Sequence, residues 1–499
     1  VTTGSTVKAI TGAYQFTANG QTVTSYQPYA YVYATTGADN NVHLYGLNLS
    51  DASVQPAPQQ IGSLSLASTD LICDSSSAET NLLQPTSLFV LLHLAGTNGL
   101  CGTNTTTGDQ WVLVNYTDSA TTAPTVLSSA PTSITSTDIT ALYAANGTLS
   151  GIVLLDPATS NLYFYTSQAF TTPKLLAAGV SMIDRLDDIE TVQSANQFSS
   201  SLLWLGVTIA STEYLYQITN NGNATSVYTA KGTLTAGYNG GVDDNSNIYL
   251  TDTYESPLGQ QAYVLSASLT GGGANILYLT AAAAPVPQLV GSNGSVLVYF
   301  TQNVSASSTA TFWTLNANVA GSPTQLGATL NGSIESARMY APVSAGPGSR
   351  SLFVTVRAES NSNPPVVTYS TEVLNLTSGN TAQPLLANSV FLDKATALSG
   401  TQLQIKGITD TNGGEGGGTI YNVSIGNLAA QALMTAGGAP FTVPAGDATY
   451  FLGESTFIGV GELYNSPTGG TTYTGLAYDL SQLLVVPVTV PNANVTAAF

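Results

Sequence analysis

Charge is the scarcest ingredient of this 499-residue chain. Asp, Glu, Lys and Arg together make up 7% of it, against roughly 25% in an average soluble domain. Basic residues are rarest, nine Lys and Arg against 28 Asp and Glu, for a net charge of −19. That shortage argues against nucleic-acid binding, which needs cations to displace counterions from phosphates, and against a polybasic membrane anchor. There are two histidines, His43 and His93, each in a strand-like apolar run, so a nucleophile–His–acid triad or a His-rich zinc site finds too few candidates. No stretch of about 20 apolar residues reads as a membrane-spanning helix. Amphipathic helical periodicity is nearly absent, and its best candidate, Met182–Gln193, reads equally well as a loop.

Cysteine is almost missing too. Cys73 and Cys101 stand 28 residues apart, outside any C-x-x-C arrangement, which excludes c-type haem attachment. They are expected to form a disulfide, worth roughly 3 kcal/mol in a loop-entropy account, with two buried thiols as the alternative. The chain opens VTTGSTVKAI, without Met, which we read as an exported protein with its signal peptide removed. Localisation is thus expected to be extracellular or at the cell surface.

What the chain does have is apolar residues, 43% of the total, and 26 Tyr, enough for a real core. Ser, Thr, Asn, Gln and Gly must supply the polar surface. With few ion pairs to lose in acid, the fold is expected to tolerate low pH, where the charge would approach about +11; a large early loss of stability between neutral pH and pH 3 would contradict this.

A pattern recurs along the sequence. Apolar runs rich in β-branched and aromatic residues begin at Ala30, Leu88, Gly151, Leu202, Asn247, Ser295, Ser351, Gln402 and Thr449. Each is followed by a second run, such as WVLVNYT, LYFYTSQ or YVLSASL, then by a third and a weaker fourth, with Gly/Asn/Ser turns between. A unit of about 50 residues is one four-stranded blade, too thin to bury both faces alone but able to do so between neighbours around an axis. The chain resembles the β-propeller superfold over nearly its whole length, without a family-specific motif. The expectation is an all-β protein, a β-propeller of four-stranded antiparallel blades, about 8 blades from nine units counted, forming a single domain over residues 1–499. Residues 1–28 are expected to supply the strand that closes the ring, and residues 470–499 the last blade and a C-terminal tail.

Chemistry is harder to find. The four arginines, Arg185, Arg338, Arg350 and Arg357, lack the company of a carboxylate-gripping cluster. Carboxylates are the remaining resource. Asp184, Asp187, Asp188 and Glu190 form the densest charge run, Asp243 and Asp244 follow two glycines, Asp410 and Glu415 frame TNGG, and Asp252 and Glu255 flank Tyr254. Such loops read as solvated turns, with Ca²⁺ as the cofactor they would take if any, since hard cations prefer oxygen ligands. Eleven Asn-x-Ser/Thr sequons, at Asn48, Asn104, Asn115, Asn146, Asn223, Asn293, Asn303, Asn331, Asn375, Asn422 and Asn494, are candidate glycan acceptors.

The scarcity of catalytic side chains points to a non-enzymatic structural, adhesion or assembly protein. Its partners would be other copies of itself, surface proteins or glycans. The alternative is a carbohydrate-active enzyme or lectin-like module using carboxylates and Tyr at one face of the ring.

Overall fold

Strands dominate because the sequence alternates. Val, Ile, Leu, Tyr and Phe at every second position suit a pleated ribbon whose successive side chains point to opposite faces. In the computed structural model the described residues are strands between Lys8 and Val490, with the turns between them over residues 149–166, 169–186, 202–238, 247–268, 271–303 and 308–340. Side chains are described within residues 139–374 and at a few later positions.

Among the described residues the strands pair antiparallel into nine sheets in chain order, most of them with four strands laid down in sequence. Sheets 3 to 7 span residues 139–178, 180–229, 233–279, 288–331 and 333–387. The chain is a β-propeller, as its repeat implied.

The structure shifts the reading frame of the repeat by one strand. The apolar runs that open the first eight units in the sequence are the second strands of the sheets, as in Leu149–Asp156 and Asn247–Ser256, while the run from Thr449 lies outside the described residues. The weak fourth segment of one unit is the first strand of the next sheet, as in Val180–Arg185 and Gln288–Ser292. These first strands are the inner ones. Arg185 Nη1 donates to Thr140 Oγ1 at 2.8 Å and to Ala141 O at 2.9 Å, joining the first strands of sheets 4 and 3. They read weakly where they are short or partly polar; Thr233–Thr235 and Ser389–Phe391 have three residues each.

Two further expectations are corrected. The helix candidate Met182–Gln193 begins as strand, since Met182–Arg185 pair with Leu205–Thr208 in sheet 4; residues 187–193 lie outside the described residues. The N-terminal segment pairs within its own sheet: Lys8–Ala18 runs antiparallel to Gln21–Thr36, with Ala18 opposite Gln21. The intervening Asn19–Gly20 is the dipeptide that favours a tight hairpin, so the strand finds its partner locally. The final sheet has three strands, Thr456–Asn465, Thr471–Asp479 and Leu484–Val490.

Burial on both faces of each middle strand holds neighbouring sheets together. Leu203, Leu205 and Val207 of sheet 4 pack against Val153, Leu155 and Phe164 of sheet 3. The intervening Trp204 turns the other way, onto Ile248, Leu250 and Leu265 of sheet 5. Tyr249 then faces Leu297 and Tyr299 of sheet 6, whose Val298 and Phe300 face Leu352 and Val354 of sheet 7. Each such side chain contributes roughly 1.5–3 kcal/mol on full burial, and no single sheet could keep both faces dry.

One segment reaches further. Tyr238, just after the first strand of sheet 5, donates its backbone N–H to Leu289 O of sheet 6 at 2.7 Å. Its ring meets Phe300 edge-on at 4.9 Å, and its hydroxyl donates to Ile334 O of sheet 7 at 2.6 Å.

Candidate functional site

The junction between sheets 4 and 5 departs from this apolar pattern. At the end of the sheets that carries the second-to-third-strand turns and the sheet-to-sheet connections, three carboxylates and three tyrosines replace aliphatic side chains.

Asp184 lies on the inner strand of sheet 4, opposite Gly206. Glu213 opens the third strand, Thr212–Thr219, on the same parity as the core residue Leu215, which directs it into the junction. Gly206 makes room for it: a Cβ there would stand 2.5 Å from Glu213 Oε1. The buried Glu213 carboxylate accepts the backbone N–H of Leu234 in sheet 5 at 2.7 Å, and its backbone carbonyl accepts that of Ala230 at 2.9 Å. Desolvation raises the Glu213 carboxyl above its ordinary value, against the Leu234 hydrogen bond and with help from the negative charges of Asp184 and Asp252. Asp184 opens to solvent, yet the flanking protein desolvates its carboxyl enough to raise it as well.

Asp252, on the second strand of sheet 5, is fully buried. It accepts Tyr228 OH at 2.7 Å, Lys231 N at 2.9 Å and Gly232 N at 2.9 Å. It thereby fastens the connection between the two sheets. Gly232 is required there, because a Cβ would fall 1.9 Å from Thr253 O. Burial, then the bond to Asp252, raises the Tyr228 phenol.

Outside Asp252 the junction opens onto Tyr254, Tyr263 and Lys231. Tyr263 stands directly opposite Asp252 across the second and third strands, and Tyr254 lies two residues further along the second. Their rings stack, centroids 5.4 Å apart and planes 22° from parallel. The exposed Lys231 ammonium sits 5.3 Å from the Tyr254 ring centre and 4.8 Å from that of Tyr263, and donates to Tyr263 OH at 2.6 Å. That hydrogen bond lowers the Tyr263 phenol, while its bond with Tyr263 raises the Tyr254 phenol. The Lys231 ammonium and two tyrosine rings thus lie at the outer side of the junction, over the buried carboxylates of Asp252 and Glu213.

Of the acidic residues singled out in the sequence, Asp184 and Asp252 belong to this site. Asp243 lies in the two-residue strand Val242–Asp243 of sheet 5, and Asp187, Asp188, Asp244, Asp410 and Glu415 lie outside the described residues. Cys73 is in the strand Ile72–Glu79 and Cys101 lies outside the described residues. Among the described residues no group of three or more His, Cys, Asp or Glu is placed to hold a metal ion, so the Ca²⁺ expectation gains no site. Sequence reasoning noted the Asp252–Tyr254 pair but missed Glu213, Lys231 and Tyr263. The parity of Glu213 with Leu215 was the available signal, a carboxylate on the buried side of a strand.

No family model matches the sequence, and no curated relative does. Among solved structures the chain is similar to an oligogalacturonate lyase in complex with manganese, with 9% identity, 72% of this chain and 85% of that chain covered, and a TM-score of 0.34. TolB from Acinetobacter baumannii shares 11% identity over 65% of this chain and 75% of its own, with a TM-score of 0.29. Prolyl oligopeptidase B from Galerina marginata shares 9% identity over 91% of this chain and 54% of its own, with a TM-score of 0.35. The expectation of a non-enzymatic structural, adhesion or assembly protein is corrected: carboxylates and tyrosines gather at one junction of the sheets, the arrangement of the alternative reading.

Proposed function

We propose that this chain is a carbohydrate-active propeller that binds neutral oligosaccharides along the groove between sheets 4 and 5. The observation that carries the reading is the stacked, half-buried Tyr254–Tyr263 pair beside the exposed Lys231 ammonium. Aromatic faces offer apolar area with a polar rim, which suits the C–H face of a sugar ring. Lys231 donates hydrogen bonds and Asp184 accepts them, which suits hydroxyl groups. Neutral sugars are favoured over uronates because the exposed Asp184 and the buried carboxylates of Glu213 and Asp252 gather negative charge at this junction, and one ammonium does not offset it.

A second reading, hydrolysis of the bound glycan, is favoured by a separate observation. Desolvation keeps the protons of Glu213 and Asp184 to higher pH than ordinary carboxyls, the condition for a general acid.

Isothermal titration against neutral β- and α-linked glucose, mannose and galactose oligomers tests the binding. Saturable binding is expected with at least one series, weakened at least tenfold in Tyr254→Ala and Tyr263→Ala and little changed in Tyr369→Ala of sheet 7. No binding by the parent, or equal binding by all variants, would overturn it. For hydrolysis, reducing-sugar release is expected from the parent and not from Glu213→Gln.

A further inference from the structure

Four of the eleven sequon asparagines have described side chains, and the structure separates them into two kinds. Asn223 Oδ1 accepts Lys174 Nζ at 2.6 Å. Asn293 Oδ1 accepts the backbone N–H groups of Ser295 and Val296 at 3.0 and 2.8 Å, a local turn that fixes the plane of its carboxamide. Asn303 and Asn331 are both exposed, and neither carboxamide is hydrogen-bonded among the described residues.

These two exposed asparagines are also neighbours. Asn303 ends the second strand of sheet 6, Thr309 begins the third and Asn331 ends the fourth; Asn303 is in register with Thr309, and Thr309 with Asn331. Residues directly opposite one another point to the same face, so the two carboxamides emerge side by side, two strand spacings or roughly 10 Å apart. They stand at the end of sheet 6 that also bears its second-to-third-strand turn and its connection to sheet 7. Each heads a complete acceptor motif, Asn303-Val304-Ser305 and Asn331-Gly332-Ser333.

We propose that Asn303 and Asn331 carry paired N-linked glycans, while Asn223 and Asn293 are poor acceptors. Attachment forms a bond from asparagine Nδ2 to the anomeric carbon of an oligosaccharide delivered on a polyisoprenoid phosphate or pyrophosphate. The anomeric C–O bond to that phosphate breaks, the phosphate leaves with the electron pair, and the amide proton passes to a base of the transferase. An unheld carboxamide can turn Nδ2 toward the donor; one locked through its oxygen must first give up its hydrogen bonds.

The test is peptide mass spectrometry of the full chain purified from its own source cells. The chain holds nine Lys and Arg but 26 Tyr, so digestion should use chymotrypsin. Glycan mass increments are expected on the peptides of Asn303 and Asn331, at occupancies at least threefold above those of Asn223 and Asn293. Asn303→Gln and Asn331→Gln should each remove one increment from the intact mass. Unmodified peptides at both positions, or equal or higher occupancy at Asn223 and Asn293, would overturn the proposal. The outcome is independent of whether the groove between sheets 4 and 5 binds sugar.

Discussion

Two carboxylates of the groove have opposite physical characters. Glu213 is raised by desolvation from an ordinary value of 4.5, so the folded state holds its proton to higher pH than the unfolded chain does. By linkage its ionisation costs stability above the folded value, and that cost disappears as pH falls through the folded value toward 4.5. Glu213→Gln keeps an oxygen to accept Leu234 N–H without the charge. Denaturant titrations should find the variant more stable than the parent at pH 7, with the difference vanishing below about pH 4. Asp252, by contrast, satisfies three donors at 2.7–2.9 Å. Asp252→Ala leaves them stranded in a dry junction, and should lower unfolding free energy by about 3 kcal/mol. The difference explains what could be read beforehand. Asp252 beside Tyr254 is visible in the sequence because they are close along one strand. The meeting of Glu213, Asp252 and Lys231 is not, since it depends on which sheet faces which.

At the scale of the element, the strands were legible and their places were not. The near-continuous apolar runs in LLWLGVT or NIYLTDT mark a ribbon buried on both faces, and the turns between runs follow Gly and Asn. The inner strands escaped because Thr233–Thr235 or Ser389–Phe391 offers three residues and little apolar signal. One turn carries unusual strain. Ala210 and Ser211, between the second and third strands of sheet 4, adopt φ values of 48° and 66°, a left-handed conformation that costs residues with a Cβ on the order of 1 kcal/mol each. The mirror-image hairpin turn they form prefers Asn-Gly. The double substitution Ala210→Asn, Ser211→Gly is expected to stabilise the protein by about 1–2 kcal/mol, read as a higher thermal midpoint with the hairpin register unchanged. A lower midpoint would mean that these side chains have contacts worth more than the strain.

For the whole molecule, stability resides between sheets rather than within them. Phe312 of sheet 6 is fully buried against Phe300, with ring centres 5.4 Å apart, in the cluster shared with sheet 7. Phe312→Ala should cost about 4 kcal/mol, and hydrogen exchange should show amides quickening in sheets 6 and 7 together, not in sheet 6 alone. The period of about fifty residues conveyed this architecture because its physical cause is general: thin sheets need neighbours.

Tyr238 gives that arrangement a mechanical side. By bonding to Leu289 through its backbone and to Ile334 through its hydroxyl, from a position just after the first strand of sheet 5, it stitches three successive units with one residue. Under tension applied through the two ends of the chain, sheets 5, 6 and 7 should yield in a single rip, and Tyr238→Phe should split that rip into smaller steps at lower force.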